Sequence, residues 1–327
     1  MSGFGPAVLG MDVEAEIETI VDALRSQVAG LHRRGLVLGL SGGIDSAVCA
    51  ALAVRAMGPG RVLALLMPDR DTPAEATERA ATFAARLGIE TTIEDIDPIL
   101  EAAGCYRRRS AAIERAFPDL PTGYRAKIAI ASGVLDSDRV PYFELVVDGG
   151  DGSDVRRRMS YETYLEVVAA TNMKQRTRKL VEYTHAEARN RAVLGTPNRL
   201  EYELGFFVRG GDGLADVKPI AHLYKTQVYL LADALDVDEA IRAATPSTDT
   251  YSLPQTQEEF FFGLPLQLTD LLLYGLDNHV PDGALAEGLG MSVEQVRRAL
   301  REMGGKRRAA ARGGAEALIV RPLPTVD

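Results

Sequence analysis

"LVLGLSGGIDSA", residues 36–47, decides how this sequence is read. An apolar run ends abruptly in Ser41, two glycines, an acid and a second hydroxyl. A short apolar run bounded by glycines reads as a buried strand, and Ala47, Val48, Ala51 and Leu52 recur behind it at helical spacing. Glycines at the carboxyl end of a parallel strand let the backbone turn tightly and aim successive N–H groups into a concavity, towards which the next helix also points its N-terminus. Such a turn suits a phosphate. Ser41 and Ser46 add hydroxyl donors, whereas Asp45 tolerates a phosphate only with a cation between them, so the expected occupant is a magnesium-bound polyphosphate. The Walker A lysine pattern is missing, which excludes an ordinary P-loop.

Outward from this turn the pattern alternates. Val13, Ile17, Ile20, Val21, Leu24, Val28 and Leu31 make one stripe, so residues 12–31 are an amphipathic helix. After the turn come a strand at 61–67, a helix from about Pro73 to Leu87 and a strand at 89–96. A second set follows with a helix at 172–190, a strand at 191–197 and a helix at 225–235. This β-α-β-α-β series predicts an α/β fold, a Rossmann-like parallel sheet with helices on both faces. Residues 105–160 interrupt it. They are rich in Gly, Asp and Arg, carry "DGGDGSD" (148–154), and read as an insertion or lid on a single domain, 1–327, without a core of its own. From about 255 the chain reads as helical, ending in the basic "GGKRRAAARGG" (304–314).

Composition narrows the class. The chain has 327 residues, 46% hydrophobic and 25% charged, enough for a sizeable core. With 46 acidic against 37 basic side chains the net charge is -9, which argues against a nucleic-acid partner. Cys49 and Cys105 form neither a metal-ligand spacing nor a disulfide framework and suit a reducing cytoplasm. There is no leader pattern and no apolar run long enough for a membrane span, so a cytoplasmic protein is expected.

"SGGIDS" resembles the pyrophosphate-binding loop of the N-type ATP pyrophosphatases, which adenylate a substrate and release pyrophosphate. That likeness leaves the acceptor open. "LGTPNRLEYELGFFVRGGDGLADVKPIAHLYKTQV" (194–228) is similar along nearly its whole length to the core of the NAD synthetases. "NMKQRTRK" (172–179) resembles that family's N-x-K-x-R-x-R helix start, and "TPSTD" (245–249) its P-T-A-D segment. The resemblance implies an adenine nucleotide alpha hydrolase-like fold and a two-step reaction. ATP activates the nicotinate carboxylate of deamido-NAD, and ammonia then displaces AMP to give the amide.

Position by position, the resemblance implies that Asp45 and Glu201 hold Mg²⁺. Gly39, Leu40, Ser41, Gly42, Gly43, Ile44, Asp45 and Ser46 surround ATP, with Thr196, Lys225 and Ser247 completing that site. Lys225 supplies charge to the bridging oxygen during adenylation. Asp212 orients the attacking ammonia or takes its proton. Asn172, Arg176, Phe206, Arg209, Asp216, Gly305 and Lys306 fall on dinucleotide contacts. The family also implies a homodimer. Glutamine-dependent members carry an additional amidase domain that finds no room here, so free ammonia, or ammonia from a separate polypeptide, is the expected donor.

Other readings compete at single positions. The segment 284–303 could pass for a DNA-reading helix-turn-helix, but it lies where the family has C-terminal helices and the protein is acidic. His185 and His222 have no ligand spacing and read as structural, and Phe207 reads as core. Three departures stand out. Gly305 replaces a family histidine, Ser247 replaces a threonine, and 105–160 is longer than the family connection. They motivate the alternative of a related synthetase that activates another carboxylate.

Overall fold

Side-chain alternation along short strands sets the layers of this fold. The computed structural model describes residues 3–131, 135, 142–148, 154–248 and 250–314. In chain order the first elements are α1 (Val13–Gly30), β1 (Leu36–Gly39), α2 (Ile44–Met57), β2 (Val62–Leu66), α3 (Ala74–Leu87), β3 (Glu90–Ile93) and α4 (Asp97–Ala103). Then come α5 (Cys105–Ala116), β4 (Ala126–Ile130), β5 (Phe143–Asp148), β6 (Asp154–Arg158) and α6 (Tyr161–Thr171). They are followed by α7 (Met173–Ala188), β7 (Ala192–Val193), α8 (Arg199–Leu204), α9 (Lys225–Ala234) and α10 (Glu239–Arg242). The last are α11 (Leu266–Asp277), α12 (Asp282–Leu289) and α13 (Val293–Gly313).

β3, β2, β1 and β7 form a parallel sheet in that order, with Leu36 level with Val62 on one side and Ala192 on the other. Leu36, Leu38, Val62, Ala64 and Leu66 point to one face, where Ile17 of α1, Val48 of α2, Phe83 of α3 and Val228 of α9 cover them. Val37, Leu63, Leu65 and Val193 point to the other, against Leu100 of α4, Cys105 of α5 and Val181 of α7. A strand buried on both faces must be apolar at every position, which is why β1 and β2 are continuous hydrophobic runs. The predicted α/β sheet with helices on both faces is therefore present.

β7 is shorter than expected. After Val193 the pairing ends with the Leu194 N–H donating to the Val37 carbonyl at 2.8 Å and an isolated bridge, Leu194 to Val217. Gly195 passes so close to Ala215 that a Cβ would stand 2.7 Å from the alanine Cβ, and Pro197 has no N–H for a ladder. The chain therefore leaves the sheet early and turns towards the end of β1.

The segment expected to lack a core has one. β4, β5 and β6 make an antiparallel sheet, and Ile128, Leu145 and Val147 pack on Ile113 of α5, Val167 of α6 and Tyr251. Its polar composition hid short strands whose buried residues are few and partly adjacent, so that no clean alternation marks them. Residues 149–153 of "DGGDGSD" lie outside the described residues. In the C-terminal part, α11 and α13 pack on α8 and α12 packs on α11 and α13, in one cluster that includes Leu200, Leu204, Leu272, Leu285 and Val296. The glycines of 304–314 fall inside or just after α13, which starts from a capping box between Ser292 and Gln295.

A buried charge network ties the insertion to the sheet. Lys174 of α7 is 0% exposed, and its Nζ donates to Asp69 at 2.9 Å and Asp71 at 2.7 Å. Arg178 holds the other Asp69 oxygen at 2.9 Å. Arg109 of α5 pairs with Asp71 at 2.8 Å and donates to the Thr250 carbonyl at 3.3 Å. Lys174→Met removes two buried charge-assisted hydrogen bonds, while Arg178 and Arg109 still face the two aspartates, and is expected to lower the unfolding free energy by about 1.5–3 kcal/mol in urea titrations.

Candidate active site

The turn after β1 is shaped by one left-handed residue. Gly42 has φ +80°, and a Cβ there would stand 2.2 Å from the Ala76 carbonyl oxygen. Only glycine fits. Ser41 Oγ lies 3.1 Å from Ser46 Oγ and accepts the Gly43 N–H at 3.2 Å, while Ser46 Oγ donates to the Gly43 carbonyl at 2.9 Å. The loop is thus held open at the N-terminus of α2, where the helix dipole favours an anion.

Asp45, in the first turn of α2, gathers two distant segments. One oxygen contacts Lys225 Nζ, and the other accepts from Asn198 Nδ2 at 3.1 Å. Asn198 is 1% exposed and caps α8 through a reciprocal pair with Glu201. Glu201 Oε1 accepts from Gln257 Nε2 at 3.0 Å. Burial and the Asp45 charge push the Glu201 carboxyl up to about 8. Burial lowers the Lys225 pKa, but the charges of Asp45 and Glu201 outweigh it and hold the ammonium above its usual range.

Lys225 also opens α9, and buried Asp270 of α11 fixes that helix start. Asp270 accepts the Lys225 N–H at 3.1 Å, and the Thr226 N–H and hydroxyl at 2.7 Å each. Burial pushes its carboxyl up to about 6 against those hydrogen bonds.

Asp45, Glu201, Lys225 and Gln257 line one cavity of about 420 Å³, with Asn198 and Asp270 behind its wall. Its wall includes Gly39, Leu40, Ser41, Gly42, Gly43, Ile44, Asp45, Ser46, Thr196, Lys225 and Ser247, all the expected ATP positions. Glu201, Asp212, Asn172 and Phe206 also line it. Phe207, read as core from the sequence, is half-buried on the same wall because Gly213 leaves room beside its ring.

Other expected substrate positions fall outside this lining. Arg176 and Arg209 are exposed, with Arg176 Nε donating to the Arg209 carbonyl at 3.1 Å. Asp216 accepts the Val193 N–H at 2.7 Å and the Tyr183 hydroxyl at 3.1 Å, which ties it to the end of β7. Gly305 lies within α13, and Lys306 donates to the Phe261 carbonyl at 2.6 Å and pairs with Glu302 at 2.8 Å.

The far wall carries a second charged group. Lys179 Nζ donates to Glu182 Oε2 at 2.6 Å, and both side chains are buried and line the cavity. Burial pushes the Glu182 carboxyl up, Lys179 opposes this, and the Asp212 charge adds to it. Burial likewise raises Asp212, against the Val208 N–H, which it accepts at 2.6 Å, and the Lys179 charge. Lys218, whose Nζ donates to the Gly213 carbonyl at 2.8 Å, stands behind the Asp212 loop.

Sequence reasoning missed Asn198, Asp270, Gln257, Lys179 and Glu182. For Asn198 a local signal exists, since Asn followed three residues later by Glu is a capping pattern. Lys179 and Glu182 stand at i,i+3 spacing on α7, a local ion-pair pattern whose burial the sequence does not show, and Asp270 and Gln257 depend on tertiary contacts.

The NAD synthase family model matches residues 16–117 and 153–308. The NH(3)-dependent NAD(+) synthetase of Rhizobium meliloti is 48% identical over 324 residues, covering 99% of this chain and 97% of that protein. Among solved structures, the NMN synthetase of Francisella tularensis superimposes with TM-score 0.65 at 25% identity, covering 95% of this chain and 99% of the other. The NH3-dependent NAD synthetase of Campylobacter jejuni superimposes with TM-score 0.62 at 23% identity, covering 95% and 100%.

Because Asn198 both caps α8 and holds Asp45, Asn198→Ala is expected to cost about 1–2 kcal/mol of stability and to weaken ATP binding. Chemical denaturation and nucleotide calorimetry on the same variant check the two effects.

Proposed function

We propose a reaction for this cleft from one premise: the chain belongs to the NAD synthase family. The reaction is the ATP-dependent amidation of deamido-NAD by ammonia through an acyl adenylate, yielding NAD, AMP and pyrophosphate, a carbon–nitrogen ligase activity. The observation that carries the assignment of roles is the meeting of Asp45, Lys225 and the Asn198–Glu201 cap at the N-terminus of α2 in one cavity.

In this reading the backbone N–H groups of the 41–46 turn, with Ser41 and Ser46, bind the β- and γ-phosphates, and Thr196 and Ser247 contact the rest of ATP. Lys225 stands where the oxygen bridging the α- and β-phosphates gains charge as its bond breaks, and its buried ammonium offsets that charge. Asn172 and Phe206 orient the nicotinate end of the dinucleotide. Arg176, Arg209, Asp216, Gly305 and Lys306 are assigned to whatever part of it extends past the cavity. Asp212, its carboxyl raised by burial, takes a proton from the incoming nitrogen.

The residues present fit Mg²⁺. Asp45 and Glu201 crowd two carboxylates together, and the Asp45 charge adds to burial in raising Glu201. Among the described residues no group of three or more His, Cys, Asp or Glu could hold a metal, so phosphate oxygens and water would supply the remaining ligands. When bound, the ion would neutralise pyrophosphate charge. The working form is proposed as a cytoplasmic homodimer using free ammonia or ammonia from a separate polypeptide. No helix among the described residues is long and apolar enough to cross a membrane.

The decisive assay follows AMP, pyrophosphate and NAD from Mg-ATP and ammonium, with and without deamido-NAD. Equal, substrate-dependent yields of all three are expected, and ATP binding without turnover of deamido-NAD would overturn the reading. Asp45→Asn is expected to abolish use of Mg-ATP. Asp212→Asn should leave ATP binding intact and slow amide formation by about 10²–10⁴-fold. Native turnover there would remove Asp212 from the mechanism.

A pH effect follows from Glu201. With its carboxyl at about 8, the group is mostly protonated at pH 7 in the free protein, and a cation needs it ionised. Mg²⁺ binding is therefore expected to release protons at pH 7 and to tighten as pH rises through 8. Calorimetry in buffers of different ionisation enthalpy measures that release, which Glu201→Gln should remove.

A further inference from the structure

The Lys179–Glu182 pair has no part in the roles assigned above, yet it lines the same cavity as Asp212. Buried ion pairs contribute little net stability compared with apolar packing of equal volume. Its position is specific. Glu182 Oε1 reaches the end of β1, lying 3.1 Å from where a Cβ on Gly39 would be, and Met67 Cε lies 3.0 Å from the same point. Gly39 therefore keeps open the space into which this carboxylate points.

The charged groups around the pair come from several elements. α7 supplies Lys179, Glu182 and Arg178, the 206–218 loop supplies Asp212 and Lys218, and the uncharged neighbours are Gly39 at the end of β1 and Met67 just after β2. Lys179 is an alkylammonium held by a carboxylate, with the Asp212 carboxylate close enough to feel its charge. Ammonium has the same charge and the same hydrogen-bonding character as that Nζ. A wall that binds one such cation between carboxylates is chemically suited to admit a second.

We propose that the Lys179–Glu182 pair sets the charge of the pocket that receives ammonium beside Asp212, Glu182 drawing the cation in and Lys179 limiting how tightly it is held. The proposal rests on the reading of Asp212 given above. Ammonium gives one proton to Asp212, and the freed lone pair forms the carbon–nitrogen bond at the acyl carbon. The bond from that carbon to the AMP oxygen breaks with its electrons on AMP. The second proton passes from nitrogen to the departing phosphate as the carbonyl reforms. A pocket too negative would bind ammonium well but hold its proton, and one too positive would not admit it. Lys179 and Glu182 are positioning residues in this scheme.

The test is a charge cycle at fixed pH and ionic strength, with Mg-ATP and deamido-NAD saturating. Glu182→Gln removes a negative charge and is expected to raise the KM for ammonium about tenfold, the effect of roughly one pKa unit of charge interaction. Lys179→Met removes a positive charge and should lower both that KM and kcat. The double variant restores the native balance and should return the ammonium KM to near its native value. The KM values for ATP and deamido-NAD should hardly move.

A purely structural pair would shift every parameter alike, or none. Singles that move the ammonium KM in the same direction, or leave it unchanged while Asp212→Asn is slow, would overturn the proposal. Native turnover in Asp212→Asn would overturn the underlying reading and this one with it. Should Lys179→Met not fold, the double variant, which leaves no unpaired buried charge, supplies the comparison with Glu182→Gln.

Discussion

The contact between Asp45 and Lys225 is the constraint on which the site depends. Lys225 is 2% exposed, and an ammonium so deeply placed is stable only beside an opposite charge. That requirement draws the start of α9 onto the start of α2 across the top of the sheet. Asp270 fixes α9 from behind, and Asn198 brings α8 to the other Asp45 oxygen. Three helix starts, those of α2, α8 and α9, therefore converge on one carboxylate, and a fourth helix, α11, holds the last of them in place. None of these contacts is local in the chain, so the cleft forms only once the sheet and the C-terminal helices have docked together.

Much of the frame was legible in the residues. β1, α2, β2 and α3 announce themselves through apolar runs and helical stripes that local physics turns directly into strands and helices. The phosphate turn was legible for the same reason, since the glycine conformation and the helix start are local properties. Likeness to a family then located Glu201, Asp212 and Lys225, which the fold brings to one cavity.

What stayed hidden depends on distance. Asp270 sits amid leucines in α11, and nothing nearby in sequence says that its partner is the backbone of another helix. The insertion's sheet was masked because its strands are short and their polar neighbours dominate the composition. β7 was overestimated because an apolar stretch does not report that Gly195 must pass against Ala215. Arg176, Arg209, Asp216, Gly305 and Lys306 were placed by pattern, which specifies a position in the chain and not its reach into the cavity.

Lys225 has a consequence for how the protein meets free metals. Asp45 already has an internal counter-cation, and the carboxylates near it are too few to chelate an ion unaided. Zinc or copper, which prefer nitrogen and sulfur donors, find no such cluster among the described residues. A cation enters this cleft most favourably when the nucleotide brings most of its ligands. The resting charge balance of the cleft thus favours an ion that arrives already bound to phosphate over one that arrives alone.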